Sequence, residues 1–328
     1  MLSLFRTNRF INSLILFPYV VLVRALAIPG GFPDDTPAKG ILSEWFFGDT
    51  VQSTPWAVIG GILLVYVQAL QLNRVMIQNR MTQELTLFPG MVYVLLVSYF
   101  PGYDGLSSVL VGNTFVLVAM ESLFGTHKKT GSAGRIFDTG LWLSVAGLCY
   151  FGYSGLFLYG IIGLSTLRTL KSREWFQYII GYATPVMIIG MLDYMLHSSL
   201  ADLWAHFSKN LGAFDFGFTG LRTYAHAGFF GLLLLISLFN FGSFKQRKNI
   251  HTQKKVDLVL WLLIFGFIVI LLQTDIGVED WIVLTIPLAC FIAMILARST
   301  QIVLLEVVHF LFLAGSLALQ LWHIVDPG

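Results

Sequence analysis

The chain has 328 residues, of which 56% are hydrophobic and only 12% charged, and its formal net charge is +2. A soluble domain carries about 25% charged residues, so the composition excludes a water-exposed globule. The small net charge excludes a basic field for nucleic acid, and the two cysteines, Cys149 and Cys290, stand in apolar runs without metal-type spacing.

Apolar runs of roughly bilayer-spanning length recur along the chain. The first, Phe10 to about Ile28, follows Arg6 and Arg9. Ala25-Leu26-Ala27 has the small residues of a leader cleavage site, but the adjacent Arg24 predicts a retained first helix. The loop from Pro29 to Thr54 holds Asp34, Asp35, Glu44 and Asp49 against Lys39, and residues 41–47 predict a short interfacial helix. A second run, Pro55 to Leu72, ends at Arg74 and Arg80. The third, Leu85 to Phe100, meets the tight turn Pro101-Gly102-Tyr103-Asp104-Gly105. The fourth, Ser108 to Phe124, leads to His127, Lys128, Lys129 and Arg135.

Two short runs follow, Ile136 to Tyr150 and Tyr153 to Leu167, joined at Phe151-Gly152. Their glycines, among them Gly140, Gly147, Gly160 and Gly163, predict close helix contact. The seventh run, Trp175 to Leu196, carries Pro185 and predicts a kink. After a loop from His197 to Arg222, the eighth run, Thr223 to Gly242, ends in the basic segment Lys245 to Lys255. The remaining runs are Val256 to Gln273, Trp281 to Ala297 and Ile302 to Trp322, with Asp275, Glu279 and Asp280 in the turn between the first two.

Of the 20 Lys and Arg residues, all but Arg24, Lys39, Lys209 and Arg222 fall on one side of this pattern, and most acidic residues take the other. The asymmetry predicts an all-α polytopic transmembrane helix bundle of about eleven spans, with a cytoplasmic N-terminus and an outer C-terminus. The whole chain, 1–328, reads as a single integral membrane domain.

Candidate chemistry gathers in the outer loops. Asp193 and His197 are four residues apart, as are Asp202 and His206, and Arg222 and His226. Asp34 and Asp35 lie at the same membrane level. A carboxylate near histidines and an arginine suits a general base beside a phosphate clamp, and the same groups suit a divalent metal. Ordinary loop solvation and helix capping explain most of these residues. Asp34, Asp35, His197 and His206 are thus the catalytic candidates, and Arg24 and Arg222 the candidate phosphate or lipid ligands. Arg24 also stands near a helix end from which it can snorkel to head groups. Deeper in the runs, Gln68, Asn113, Glu121, Asp138, Glu306 and His309 are polar, with Glu306 and His309 a candidate pair. Common nucleotide, esterase and metalloprotease motifs are absent, and no cofactor is implied beyond that divalent metal.

Leu72-Asn73-Arg74, Ser98-Tyr99-Phe100-Pro101, Phe137-Asp138-Thr139-Gly140 and Arg173-Glu174 followed by Gly181 and Pro185 resemble a family of uncharacterised polytopic inner-membrane proteins of Bacteroidetes. That resemblance covers roughly residues 1–200 and implies no activity. Asp34 and Asp35 in the first outer loop, with the basic-to-Pro stretch from Lys171 to Pro185, also resemble the GT-C class of polyprenyl-phosphate-sugar glycosyltransferases. The second resemblance implies an acidic base in that loop and a cation, Arg222, on the lipid phosphate. Ser107-Ser108 stands where the class has a second acidic motif. Three functions follow as expectations: a transferase acting on a lipid-phosphate-linked sugar, a non-catalytic subunit or scaffold of a cell-envelope assembly, and a transporter. Membrane lipids, a polyprenyl-phosphate-linked substrate and other envelope proteins are the corresponding partners.

Overall fold

The computed structural model describes residues 2–7, 9–24, 40–52, 55–82, 84–100, 105–127, 131–169, 171–208, 215–216, 221–246, 248–271, 275–276, 278–299 and 301–325. The architecture is all-α. Its helices are α1 (Leu2–Phe5), α2 (Phe10–Val23), α3 (Ile41–Gln52), α4 (Pro55–Gln78), α5 (Phe88–Val97), α6 (Ser108–Phe124) and α7 (Ala133–Cys149). They continue as α8 (Leu156–Leu167), α9 (Ser172–His197), α10 (Ala201–Ser208), α11 (Leu221–Gln246), α12 (Ile250–Leu271), α13 (Thr285–Arg298) and α14 (Ile302–Val325). Short 3-10 segments, Phe151–Gly155 and Val278–Leu284, precede α8 and α13.

Among the described residues, four helical stretches are long and apolar enough to cross a membrane: Trp56–Gln78, Ser172–Leu196, Tyr224–Lys245 and Asp280–Arg298. Shorter apolar helices are Phe10–Val23, Phe88–Val97, Ser108–Phe124, Phe151–Leu167 and Leu305–Leu321. The third run thus shrinks to the 10-residue α5, all of it buried. At 1.5 Å per residue α5 is about 15 Å long, half the thickness of a bilayer core. It sits among α2, α4, α13 and α14, so its sequence is apolar on every side.

Helix ends follow local chemistry. The Ser107 hydroxyl accepts the Leu110 N–H at 3.2 Å and starts α6. The Glu174 carboxylate accepts the Lys171 N–H at 3.1 Å and a bond from the Arg168 guanidinium, fixing the start of α9. Ser198, with φ of 52°, turns the chain out of α9 in the left-handed region. The helix predicted over residues 41–47 runs on to Gln52. No periodicity in the sequence marks the small sheet. Its strands β1 (Asp215–Phe216) and β2 (Asp275–Ile276) pair in parallel, with Asp215 opposite Asp275 and Phe216 opposite Ile276, joining two loops far apart in sequence.

Side-chain contacts collect the basic residues at one end of the bundle. Arg6 Nε lies 3.1 Å from Glu84, Arg74 Nε 3.3 Å from Glu121, and Lys245 Nζ 2.9 Å from Asp257. Lys254 Nζ donates to the Thr166 carbonyl at 2.8 Å and Lys255 Nζ to Asn79 at 2.6 Å. Such exposed pairs stabilise little individually. Their value is positional, because they bring the ends of α4, α6 and α8 to the α1–α2 connection and the start of α12.

His127 and His251 meet at this basic end. His127 Nδ1 lies 3.0 Å from the Leu167 carbonyl, which only accepts, so Nδ1 carries the proton. In neutral His127 the Nε2 atom then accepts from His251 Nδ1 at 2.9 Å. Burial and the neighbouring His251, Lys255 and Lys254 charges push His127 below the usual imidazole range, against the pull of its bond to Leu167.

Helices α7 and α9 pack extensively and closely against each other. A Cβ placed on Gly140 would come 2.4 Å from the Tyr178 carbonyl oxygen, and one on Gly181 would come 2.3 Å from that of Phe137. Gly160 and Gly163 receive Tyr178 and Leu123 in the same manner, so these glycines are helix-contact sites as expected. By contrast α9 and α11 turn broad apolar faces outward, with Met187, Met195, Leu235 and Phe239 exposed.

Candidate functional site: the acidic end and the polar interior

The sequence candidates divide sharply once placed. Asp34 and Asp35 lie outside the described residues. His197 closes α9 and Arg222 lies in the first turn of α11, and their side chains also lie outside what is described. His206, Asp193 and Arg24 can be followed atom by atom.

His206, on α10, is buried, and its Nδ1 accepts the Ile41 N–H at 3.4 Å. Ile41 opens α3, where first-turn amides have no partner inside the helix. Asp193 does the same for α10, its Oδ2 accepting the Leu203 N–H at 3.0 Å. These side chains pin α3 and α10 to α9 beside a small apolar cluster of Ile41, Leu148 and Ile189. The Ser43 hydroxyl adds a bond to the Cys149 carbonyl at 2.6 Å, and Gly40 lies against that same carbonyl.

Burial holds His206 down at about 4, against a raising contact with the Gly147 backbone. Its folded pKa is therefore depressed from the ordinary value near 6.5. The neutral ring and its bond to Ile41 are fully present above that value and are lost as pH falls toward 4. The protection factors of the α3 and α10 amides, corrected for the pH dependence of intrinsic exchange, are accordingly expected to fall as pH is lowered from about 6.5 to 4.5, and His206→Gln to flatten that dependence. An equal fall of protection in both proteins would assign the pH effect to another group.

Arg24, directly after α2, is wholly buried instead of reaching for head groups. The centre of the bundle lies around Tyr93 on α5, which is also fully buried. That centre holds a polar network. Asp280 is also wholly buried, and Tyr150 donates to its Oδ1 at 2.6 Å. Tyr150 packs edge-on to Tyr153, which donates to Asn113 Oδ1. The Asn113 amide nitrogen lies 3.4 Å from both the Tyr93 hydroxyl and the Ile282 carbonyl. Tyr93 donates to Gln68 Oε1 at 2.7 Å, and Gln68 Nε2 donates to Leu110 O at 2.6 Å and Thr114 Oγ1 at 2.7 Å. Both amides are therefore oriented without ambiguity. The network ties α4, α5, α6 and both 3-10 segments together.

A second group surrounds the end of α5. The Ser98 carbonyl accepts from Ser316 and Gln320, each at 3.2 Å, and Gln320 also donates to Val23 O at 3.0 Å. His226 Nε2 donates to the Tyr99 carbonyl at 2.7 Å, and Tyr99 donates to Phe312 O at 2.8 Å. His309 bonds Tyr19 at 2.9 Å across to α2. Among the described residues no group of three or more His, Cys, Asp and Glu gathers to hold a metal.

Tyr19, Tyr93, Tyr150 and Tyr153 are the polar participants that the sequence does not single out. Their signal is a tyrosine within an apolar run, away from the interfacial belt where tyrosine ordinarily sits. No protein family, curated protein or solved structure matches the chain.

Proposed function

We propose that the chain is a multi-pass protein of a bacterial inner membrane, crossing it about eleven times with its basic end in the cytoplasm. In this reading it is a non-catalytic structural subunit of a cell-envelope assembly. The observation that supports it is the use of Asp193 and His206 as helix caps, where reactive groups would face a substrate. The interior network supports the same reading. At its Gln68 end it is satisfied by the Leu110 carbonyl and Thr114, which is interhelical bonding.

The transferase alternative rests on Asp34 and Asp35. One strain set tests both readings: cells lacking the gene, complemented by wild type or by Asp34→Asn/Asp35→Asn, each also carrying topology reporters. Full complementation by the double variant is the expected result, with cytoplasmic reporter signal after residues 129 and 249 and outer signal after residue 210. Normal protein levels without complementation would favour the transferase, and inverted reporters would reject the orientation.

A further inference from the structure

A cavity of about 440 Å³ opens at the basic end between α2 and α4. Its size falls within the range of about 300–1,000 Å³ typical of small-molecule sites. Four of its lining residues are polar: Ser13, Asn73, Arg74 and Gln78. The apolar ones are Leu70, Ile77 and Leu87.

The order of these residues along α4 determines the shape of the site. Leu70, Arg74, Ile77 and Gln78 share one helix face, because residues three and four apart stack on the same side. The polar pair lies toward the helix end and Leu70 lies deeper. The same face continues into the bundle's flank through Val67 and Leu63, which are 44% and 48% exposed. The site is thus polar at its mouth and leads into an open apolar track, the profile of an amphiphile standing along the helix.

The charge at the mouth is positive. Arg74 Nε lies 3.3 Å from Glu121, and its side chain is 64% exposed, which leaves the guanidinium open to an anion from solvent. Arg9 stands one turn before Ser13, whose N–H bonds the Arg9 carbonyl at 3.1 Å. Of the neighbouring carboxylates, Glu121 is paired with Arg74 and Glu84 with Arg6. Asn73 is buried, its Oδ1 accepts the Gly90 N–H at 2.7 Å, and its Nδ2 has no hydrogen-bond partner. A guanidinium matches phosphate geometry and binds it through paired donors.

We infer that this cavity binds a phosphate-bearing amphiphile, an anionic lipid of the leaflet at the basic end, with its headgroup at Arg74 and Gln78 and one acyl chain along Val67 and Leu63. The inference rests on the membrane reading above. Topology reporters test that reading, and the binding measurement below leaves it untouched.

The test uses the full chain purified in a zwitterionic detergent, with thermal unfolding followed against added short-chain phosphatidylglycerol, short-chain phosphatidylcholine or inorganic phosphate. A saturable stabilisation by phosphatidylglycerol alone is expected. Arg74→Gln should weaken it about tenfold, the loss of about 1.4 kcal/mol of headgroup binding. Leu70→Trp, which keeps the charge and fills the cavity, should do the same. It also covers the case in which Arg74→Gln fails to fold. Equal stabilisation by phosphatidylcholine, or a phosphatidylglycerol effect unchanged in Leu70→Trp, would overturn the site. Stabilisation by inorganic phosphate to the same extent would overturn the lipid as its source.

Discussion

Gly140→Leu and Gly181→Leu are each expected to leave little or no folded protein in the membrane fraction, whereas Gly228→Leu and Gly231→Leu should accumulate normally. The first two glycines form a reciprocal crossing, each pressed on backbone of the opposite helix. Because the atoms in the way are carbonyl oxygens, no rotamer change relieves the clash, and the helices must separate. Separation would pull Tyr178 from its slot, where it is fully buried, bonds Phe157 O at 2.7 Å and lies over Gly160. Even the single methyl of an alanine at either position should cost about 1–3 kcal/mol in overpacking, partly offset by about 0.5–1 kcal/mol of helix propensity. A leucine at the same place belongs to the exceptional class above about 4 kcal/mol, comparable to the whole stability of many domains. Gly228 and Gly231 on α11 have nothing within 4 Å of the place a Cβ would take, so a side chain there meets open space. Membrane yield of the leucine variants and the unfolding temperature of the purified alanine variants measure the contrast. Similar behaviour of all four positions would mean that α7 and α9 do not cross in this way.

How far the fold and the candidate site are legible in the sequence depends on the physics each feature uses. Helix positions are legible because apolar runs bounded by charged or turn residues persist over many positions, and Gly140 and Gly160 are legible as contact sites because small residues recur there. The shortness of α5 is not, since a buried 10-residue helix and a spanning one share the same apolar composition. The pairing of Asp215 with Asp275 is equally invisible, because a two-residue strand has no periodicity and its partner lies in another loop. The polar candidates fail to separate for a different reason. An i, i+4 carboxylate and histidine look alike whether they meet a substrate or cap helices, and only the three-dimensional placement of Leu203 and Ile41 distinguishes the uses. Arg24 shows the converse. Its nearness to a helix end predicts a surface cation, but its side chain is wholly buried.

Asn113→Leu should lower stability by about 2 kcal/mol, and its combination with Tyr153→Phe should cost clearly less than the sum of the two single changes. Asn113 uses its carbonyl oxygen to accept from Tyr153 and its nitrogen to approach Tyr93 and Ile282. Leucine has nearly the same size, so the change removes the bonds without opening a large cavity. What remains is a buried Tyr153 hydroxyl with no acceptor at that place, a penalty of about 1–3 kcal/mol. Single interhelical bonds in membrane proteins average about 0.6 kcal/mol, which keeps the total near the middle of that range even with several bonds lost. Tyr153→Phe alone should cost about 1 kcal/mol, and in the double variant the stranded hydroxyl is gone, leaving a coupling of about 1 kcal/mol. Thr114→Val provides the comparison, because Gln68 Nε2 keeps its bond to Leu110 O, and a loss below about 0.5 kcal/mol is expected. Unfolding of wild type, the two single variants and the double variant in detergent under matched conditions yields the cycle. Strict additivity would show that Asn113 and Tyr153 do not share a bond. Coupling with retained complementation would show the network holding α5, α6 and the 3-10 segment at 151–155 in one arrangement, a structural use of polarity in the interior.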